Sequence, residues 1–394
     1  MNDSLALAHT NRAEIIRHRR GIHGFAETGF DLPQTSDYVF ETLRTYGYEP
    51  VRLIEHGIVC TVGQGRPVML LRADMDALPM EEESGLPFAA KNGNAHTCGH
   101  DMHTAMLLGA AKILKERETE LKGTVKLVFQ PAEELLIGGK AMVEAGLLEN
   151  PKPDAALMFH VDTQSPVAVY IKEGTMTTGS NNYRITVSGK GAHGAMPENG
   201  VDPVYIGAQI VLGLQELVTR EIGFRNGAVV TTGHFRGGSA PNIIPETALL
   251  EGTLRSWSPE IQAHLKKRVP EVAQGLARTY RGDAEVEFLS DVAAVVNEPV
   301  LTRKVRSYLE AMAGDTFEVR EAEAVTASED FAYISTRVPA VMMMLGAAIP
   351  GKEALPLHNP KVLFNEDALP IGTACLVESA MRYLSADPDE VTAP

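Results

Sequence analysis

Val68-Met69-Leu70-Leu71-Arg72-Ala73-Asp74-Met75-Asp76 is an apolar run that ends in acid. It lacks the polar alternation of a half-exposed strand, which predicts a strand buried on both faces, the kind that parallel sheets use. The device returns three times. Val125-Lys126-Leu127-Val128-Phe129-Gln130 leads through Pro131-Ala132 to Glu133 and Glu134; Ala155-Ala156-Leu157-Met158-Phe159 ends at His160; and Ala340-Val341-Met342-Met343-Met344-Leu345-Gly346 is followed across a short loop by His358. Amphipathic stretches such as Asp37 to Tyr46 and Ala105 to Glu116 predict helices between them, so residues 1–178 read as βαβ units around a largely parallel sheet. Open α/β sheets bind their ligands outside the carboxyl ends of the strands, where these acids and histidines are delivered.

The stretch His96-Thr97-Cys98-Gly99-His100-Asp101-Met102-His103 holds three of the 12 histidines. Of the three cysteines, Cys60 and Cys375 are flanked by apolar residues and read as core; only Cys98 lies in such company. Taken singly, Cys98 is a buried thiol beside a helix-capping histidine, and Glu133-Glu134 is a solvated acidic pair. Delivered together at strand ends, these residues supply ligands for two divalent ions of the Zn, Mn, Co and Ni group, plus one spare carboxylate. Two such ions about 3.5–4 Å apart can bind an attacking hydroxide and polarise a carbonyl oxygen, so the pattern predicts metal-assisted hydrolysis. Cys98 and His100 are expected in an extended loop where both turn toward one point, with the apolar run Met106 to Ala111 as the helix that follows. Asp74 is expected to orient a ligating imidazole by accepting its second N–H. Adjacent glutamates project in different directions, so one can ligate while the other faces the bound water as general base.

At 394 residues the chain predicts two domains, and 44% hydrophobic residues give each a core. From Asn182-Tyr183-Arg184-Ile185-Thr186-Val187-Ser188 the pattern changes to alternating strands. A helix over Pro203 to Val218, strands near 228–233 and 247–255, a helix from Pro259 to Tyr280 and a strand over Ala284 to Leu289 follow. Two helices on a four-stranded antiparallel sheet make a compact α+β unit of the kind inserted as a lid. Because His358 lies beyond it, the outer segments are expected to form one catalytic domain, 1–178 with 292–394, around an insert at 179–291. The tail Ser385 to Pro394 is expected to be disordered.

Charge narrows the partners. With 36 basic against 51 acidic residues, the net −15 argues against nucleic acid or an anionic membrane. No stretch approaches a membrane span, and Met1-Asn2-Asp3-Ser4 lacks the regions of a secretory signal. Few cysteines fit a reducing compartment. The expected location is the cytoplasm.

Over nearly its whole length the chain resembles the M20-type metallopeptidase-like amidohydrolases, the group of N-acyl-L-amino acid amidohydrolases, hippurate hydrolases and auxin-conjugate hydrolases. The resemblance rests on Arg19-Arg20-Gly21-Ile22-His23, Arg72 to Pro79, Cys98-Gly99-His100-Asp101, Gln130 to Glu134, Gly191 to Pro197, Asn242-Ile243-Ile244-Pro245, Gly252-Thr253-Leu254-Arg255, Glu329-Asp330-Phe331 and Leu357-His358-Asn359-Pro360, in that order. It implies a zinc-exopeptidase-like catalytic domain, with a mixed, largely parallel sheet flanked by helices, and an inserted ferredoxin-like lid and dimerisation domain. It further implies Cys98 as a thiolate shared between two metals, His100, Glu134, His160 and His358 as the other ligands, and Glu133 as general base. His193, Asn242 and Arg255 match positions that contact the substrate's carboxylate or the tetrahedral oxyanion. In relatives that histidine reaches a neighbouring subunit's site, which implies a homodimer or higher homo-oligomer. From chemistry alone, Arg255 suits a bidentate carboxylate grip, and His193 would otherwise read as a satisfied turn histidine.

The substrate implied is a small N-acetyl or N-aroyl amino acid with a free carboxylate. Val161-Asp162-Thr163-Gln164 and Glu198 depart from the common pattern near the substrate's side chain or acyl group, which leaves those preferences open. Three other readings compete: a dipeptidase or aminopeptidase on the same scaffold, a cysteine hydrolase with Cys98 as nucleophile, and a non-catalytic metal or ligand sensor.

Overall fold

The computed structural model describes residues 3–223 and 225–386. The part of the expected disordered tail from 387 onward, and Met1 and Asn2 of the leader reading, lie outside them. The chain divides into two compact units, Met1–Met176 with Val296–Ala324 and Asp330–Pro394, and Thr177–Val295 with Val325–Glu329. The short segment Val325–Glu329 thus joins the second unit, although the sequence reading gives it to the catalytic domain.

The first unit is built on an eight-stranded mixed sheet. Val68–Asp74 lies between Thr124–Gln130 and Ala155–Asp162 and is parallel to both, and Ala340–Gly346 is parallel to Ala155–Asp162 on its far side. Gly57–Gly63 and Val51–Ile54 extend one edge in antiparallel fashion; Val169–Ile171 and Val319–Glu321 complete the other. Every residue of Val68–Asp74 and of Thr124–Gln130 is buried. Helices cover the sheet, which is why these strands read as continuous apolar runs. Helix His100–Glu116 and helix Ala368–Ser385 are buried along almost their whole length. Met102, Met106 and Leu107 of the first and Ala374, Leu376 and Val377 of the second share a core with Met69, Leu71, Leu127, Leu157 and Met343. Asp74 pairs with Gln130 and His160 with Met344, so the carboxyl ends of the central strands finish together.

One local expectation fails. His100 is not in an extended loop but is the first residue of the helix, and Gly99 before it holds the left-handed φ of 89°. A Cβ at Gly99 would lie 2.3 Å from Val161 and 2.9 Å from Phe364, so only glycine lets the chain turn this sharply against both.

The second unit carries a four-stranded antiparallel sheet ordered Ala228–Gly237, Thr247–Ser256, Gly179–Ser188, Asp283–Phe288. Helices Pro203–Glu216 and Pro259–Thr279 pack on one face, burying Ile206, Ile210, Leu265 and Val269 with Tyr183, Ile185 and Leu250. Both begin with proline behind an N-cap whose side chain accepts backbone N–H groups, Asp202 in one and Ser258 in the other. The first helix ends two residues earlier than expected and passes into a π-turn at Leu217–Ile222. Among the described residues, no helix is long and apolar enough to cross a membrane.

Candidate metal centre

Four backbone segments of the first unit bring donor atoms to one place. The Gly99 turn aims Cys98, whose Sγ lies 3.6 Å from His160 Nε2 and 3.4 Å from His358 Nε2. His160 stands near the end of strand Ala155–Asp162. His358 sits in a loop at φ 63° with its N–H bonded to the Thr97 carbonyl, 3.1 Å. Glu134 Oε1 is 3.5 Å from His358 Nε2 and 3.9 Å from His100 Nε2, while Glu133 Oε2 is 3.8 Å from His100 Nε2.

The hydrogen bonds fix which ring nitrogens face inward. His100 Nδ1 donates to the Asp76 carbonyl at 2.8 Å, and His160 Nδ1 donates to the Val161 carbonyl at 2.8 Å. A carbonyl can only accept, so each ring keeps a proton on Nδ1, and Nε2 is the nitrogen that would offer a lone pair on the Cys98 side once a metal displaces its proton. His100 Nε2 and Glu134 Oε1 are buried without a hydrogen-bond partner. Such orphaned polar atoms are costly in a dry site unless a partner such as a metal ion satisfies them. The donors form two sets sharing the thiol, Cys98 with His100 and His160, and Cys98 with Glu134 and His358, with ligand atoms in each set within 4.8 Å of one another. The residues therefore fit two sulfur-, nitrogen- and oxygen-bound divalent ions.

The electrostatics agree. Burial would raise the Cys98 thiol, but the charges of His100 and His160 pull it down to about 6. Burial opposes a charge on His160, yet the thiolate raises it to about 9; the Cys98 thiolate and the Glu134 carboxylate beside it lift His358 to about 10. Protons and divalent ions compete for these groups, so metal uptake releases protons.

Two aspartates hold this arrangement. The buried Asp76 carboxylate accepts the backbone N–H of Glu133 at 3.0 Å and of Glu134 at 3.1 Å, while its carbonyl takes the His100 ring. The sequence reading gave Asp76 no role; the signal available was a second acid at the strand end. Asp74 was expected to orient a ligating imidazole, but its Oδ1 takes the Nδ1–H of His103 at 2.6 Å and its Oδ2 takes Arg72 at 2.6 Å. His103 in turn accepts the Val161 N–H at 2.9 Å, so Asp74 braces the neighbour of His160 rather than a ligand ring. Despite full burial, His100 and Arg72 keep the Asp74 carboxyl far below its ordinary range.

His193, Asn242 and Arg255 belong to the second unit. His193 pairs with Ile243 across two short strands, and Gly194 N–H bonds the Asn242 carbonyl at 2.8 Å, which brings the two backbone segments together; His193 and Asn242 are both exposed. His193 Nδ1 accepts the Ala195 N–H at 3.1 Å, so its neutral ring carries the proton on Nε2. Arg255, half-buried on strand Thr247–Ser256, donates to Ser328 Oγ at 2.8 Å.

Comparison with known proteins gives a consistent picture. The family description Peptidase family M20/M25/M40 matches residues 70–382. IAA-amino acid hydrolase ILR1-like 4 of Arabidopsis thaliana is 38% identical over 378 residues, covering 93% of this chain and 84% of its own. N-acetylcysteine deacetylase of Bacillus subtilis (strain 168) is 33% identical over 377 residues, covering 94% and 97%. The crystal structure of the Bacillus subtilis YXEP protein, a dinuclear metal binding peptidase from the M20 family, superposes with a TM-score of 0.83 at 30% identity, covering 96% of this chain and 100% of that one.

Proposed function

The chain belongs to peptidase family M20/M25/M40, and on that premise we propose that it is a two-metal amidohydrolase that releases amino acids from their N-acyl derivatives. The observation that carries this is the pair of ligand sets sharing Cys98, with unpartnered buried polar atoms on His100 and Glu134 and a further buried carboxylate, Glu133, beside them. A sensor needs the ligands but has no use for that extra acid. A cysteine nucleophile would leave Glu133, Glu134, His160 and His358 without a role.

Cys98, His100 and His160 would hold one ion, and Cys98, Glu134 and His358 the other. When bound, such a pair supplies an acidified water and a polarised amide carbonyl. Glu133 Oε2, backed by the Asp76 anchor on its own N–H, accepts the proton of the attacking water and returns it to the departing nitrogen. His193 offers an Nε2–H donor suited to the developing oxyanion. Arg255 and Asn242 grip the substrate's free carboxylate. Relatives named as an IAA-amino acid hydrolase and an N-acetylcysteine deacetylase support an acyl amino acid as the substrate class.

The carboxylate grip is tested by comparing N-acetyl and N-benzoyl amino acids with their C-terminal amides. Masking the carboxylate should raise KM by roughly tenfold or more, as loss of a charged hydrogen bond worth ~1.5–3 kcal/mol requires. Equal turnover of acid and amide would remove Arg255 and Asn242 from substrate binding. We read the protein as cytoplasmic, supported by its three free thiols, and as a homo-oligomer through the second unit, which sedimentation at micromolar concentration would contradict by showing only monomer.

A further inference from the structure

Arg19 lies outside both ligand sets, yet it touches the segments that carry them. It is 2% exposed on helix Arg12–Phe25. Its Nε donates to Asp101 Oδ2 at 2.9 Å, and its Nη1 donates to Glu366 Oε1 at 3.0 Å. Asp101 directly follows His100 in the first turn of its helix. Glu366 lies eight residues after His358 in the same loop, 347–367, just before helix Ala368–Ser385. The guanidinium lies 5.4 Å from the Phe88 ring centroid and 5.8 Å from that of Phe364, and Phe364 is the ring that closes on Gly99. His23, one turn along the same helix, reinforces the grip through its Nδ1 on Asp101 Oδ2 at 2.9 Å, and Arg20 adds a second cation to Glu366.

We propose that Arg19 is a positioning residue for the metal centre, one that ties the Cys98–His100 turn to the His358 loop; this rests on the two-ion reading above. The second ligand set needs such a tie. Cys98 comes from a turn locked at the start of a buried helix, whereas the His358 side chain stands on a loop and is 51% exposed. A planar fork with divergent N–H groups reaches both carboxylates at once and fills the space between two aromatic faces. A lysine, with a single ammonium and no plane, holds one carboxylate and leaves the other to His23 or Arg20 alone, so the bridge between the two segments is lost.

The apo protein titrated with Mn²⁺ or Zn²⁺ alone, with ions per chain, both dissociation constants and the apo melting temperature recorded, tests this for the wild type, Arg19→Lys, Arg19→Gln and Glu366→Gln. Supporting residues of metal ligands are worth roughly 10–100-fold in metal affinity. One of the two binding steps should weaken by that factor in all three variants while the other stays close to wild type. Glu366 is partly exposed, so Glu366→Gln keeps the test valid if the buried Arg19 variants fold poorly. Unchanged constants for both ions would overturn the proposal. So would a loss of both steps in proportion to a lower apo melting temperature, because that describes general support of the fold. A wild type that binds no ion would instead remove the two-ion reading itself, before Arg19 is in question.

Discussion

Glu133 and Glu134 are neighbours in sequence with different surroundings, and that difference underlies the separate roles proposed for them. Glu134 Oε1 lies 3.5 Å from His358 Nε2 and 3.9 Å from His100 Nε2, whereas Glu133 Oε2 lies 3.8 Å from His100 Nε2. Glu133→Gln keeps the shape and removes the proton carrier. It should retain both ions while kcat falls about 10²–10⁴-fold, the usual worth of a general base; metal content by emission spectroscopy beside single-turnover rates checks this, and an active variant contradicts the assignment. Glu134 and His160 were legible as donors because each ends an apolar strand or follows one closely, and Cys98 and His100 because they stand among histidines ahead of an apolar helix. Asp76 was not, since its work is to accept backbone N–H groups of residues 57 and 58 positions away, a role that no side-chain pattern announces. For the same reason Asp74 was assigned to a ligand ring, when the imidazole it meets is His103.

Strands and helices were legible wherever burial is two-sided or strictly alternating. Val68–Asp74, Thr124–Gln130, Ala155–Asp162 and Ala340–Gly346 lie where their apolar runs place them, within a residue or two at either end. The start of the His100 helix was missed because Gly99 takes its left-handed turn to satisfy Val161 and Phe364, far away in sequence. Gly99→Ala combines an unfavourable φ, costing about 1–2 kcal/mol, with overpacking that typically costs another ~1–3 kcal/mol. The expected result is a lower melting temperature together with reduced metal content, because the turn carries both Cys98 and His100. A variant with wild-type melting and two ions would show that the turn has room to relax.

Stability against acid belongs to the protein as a folded unit. His18 is buried between Tyr38 at 2.8 Å and Tyr46 at 2.7 Å, and burial lowers its pKa from 6.5 to about 4. The folded value lies below the unfolded one, so between them the unfolded chain binds more protons. Its contribution is present above pH 6.5 and is lost as pH falls from 6.5 to about 4, amounting to about 3 kcal/mol at most. Urea unfolding of the wild type at pH 7 and pH 4.5 should show that decline, and His18→Gln should flatten it; parallel pH curves would mean that other groups carry it. The proposed reaction as a whole rests on metal. The most direct test is metal analysis of the purified protein beside release of free amino acid from N-acetyl, N-benzoyl and dipeptide substrates, with and without chelator. Two ions per chain and release from acyl amino acids that chelator abolishes and Zn, Mn, Co or Ni restores is the predicted result; release that survives chelation, or a chain that binds no divalent ion, would contradict it.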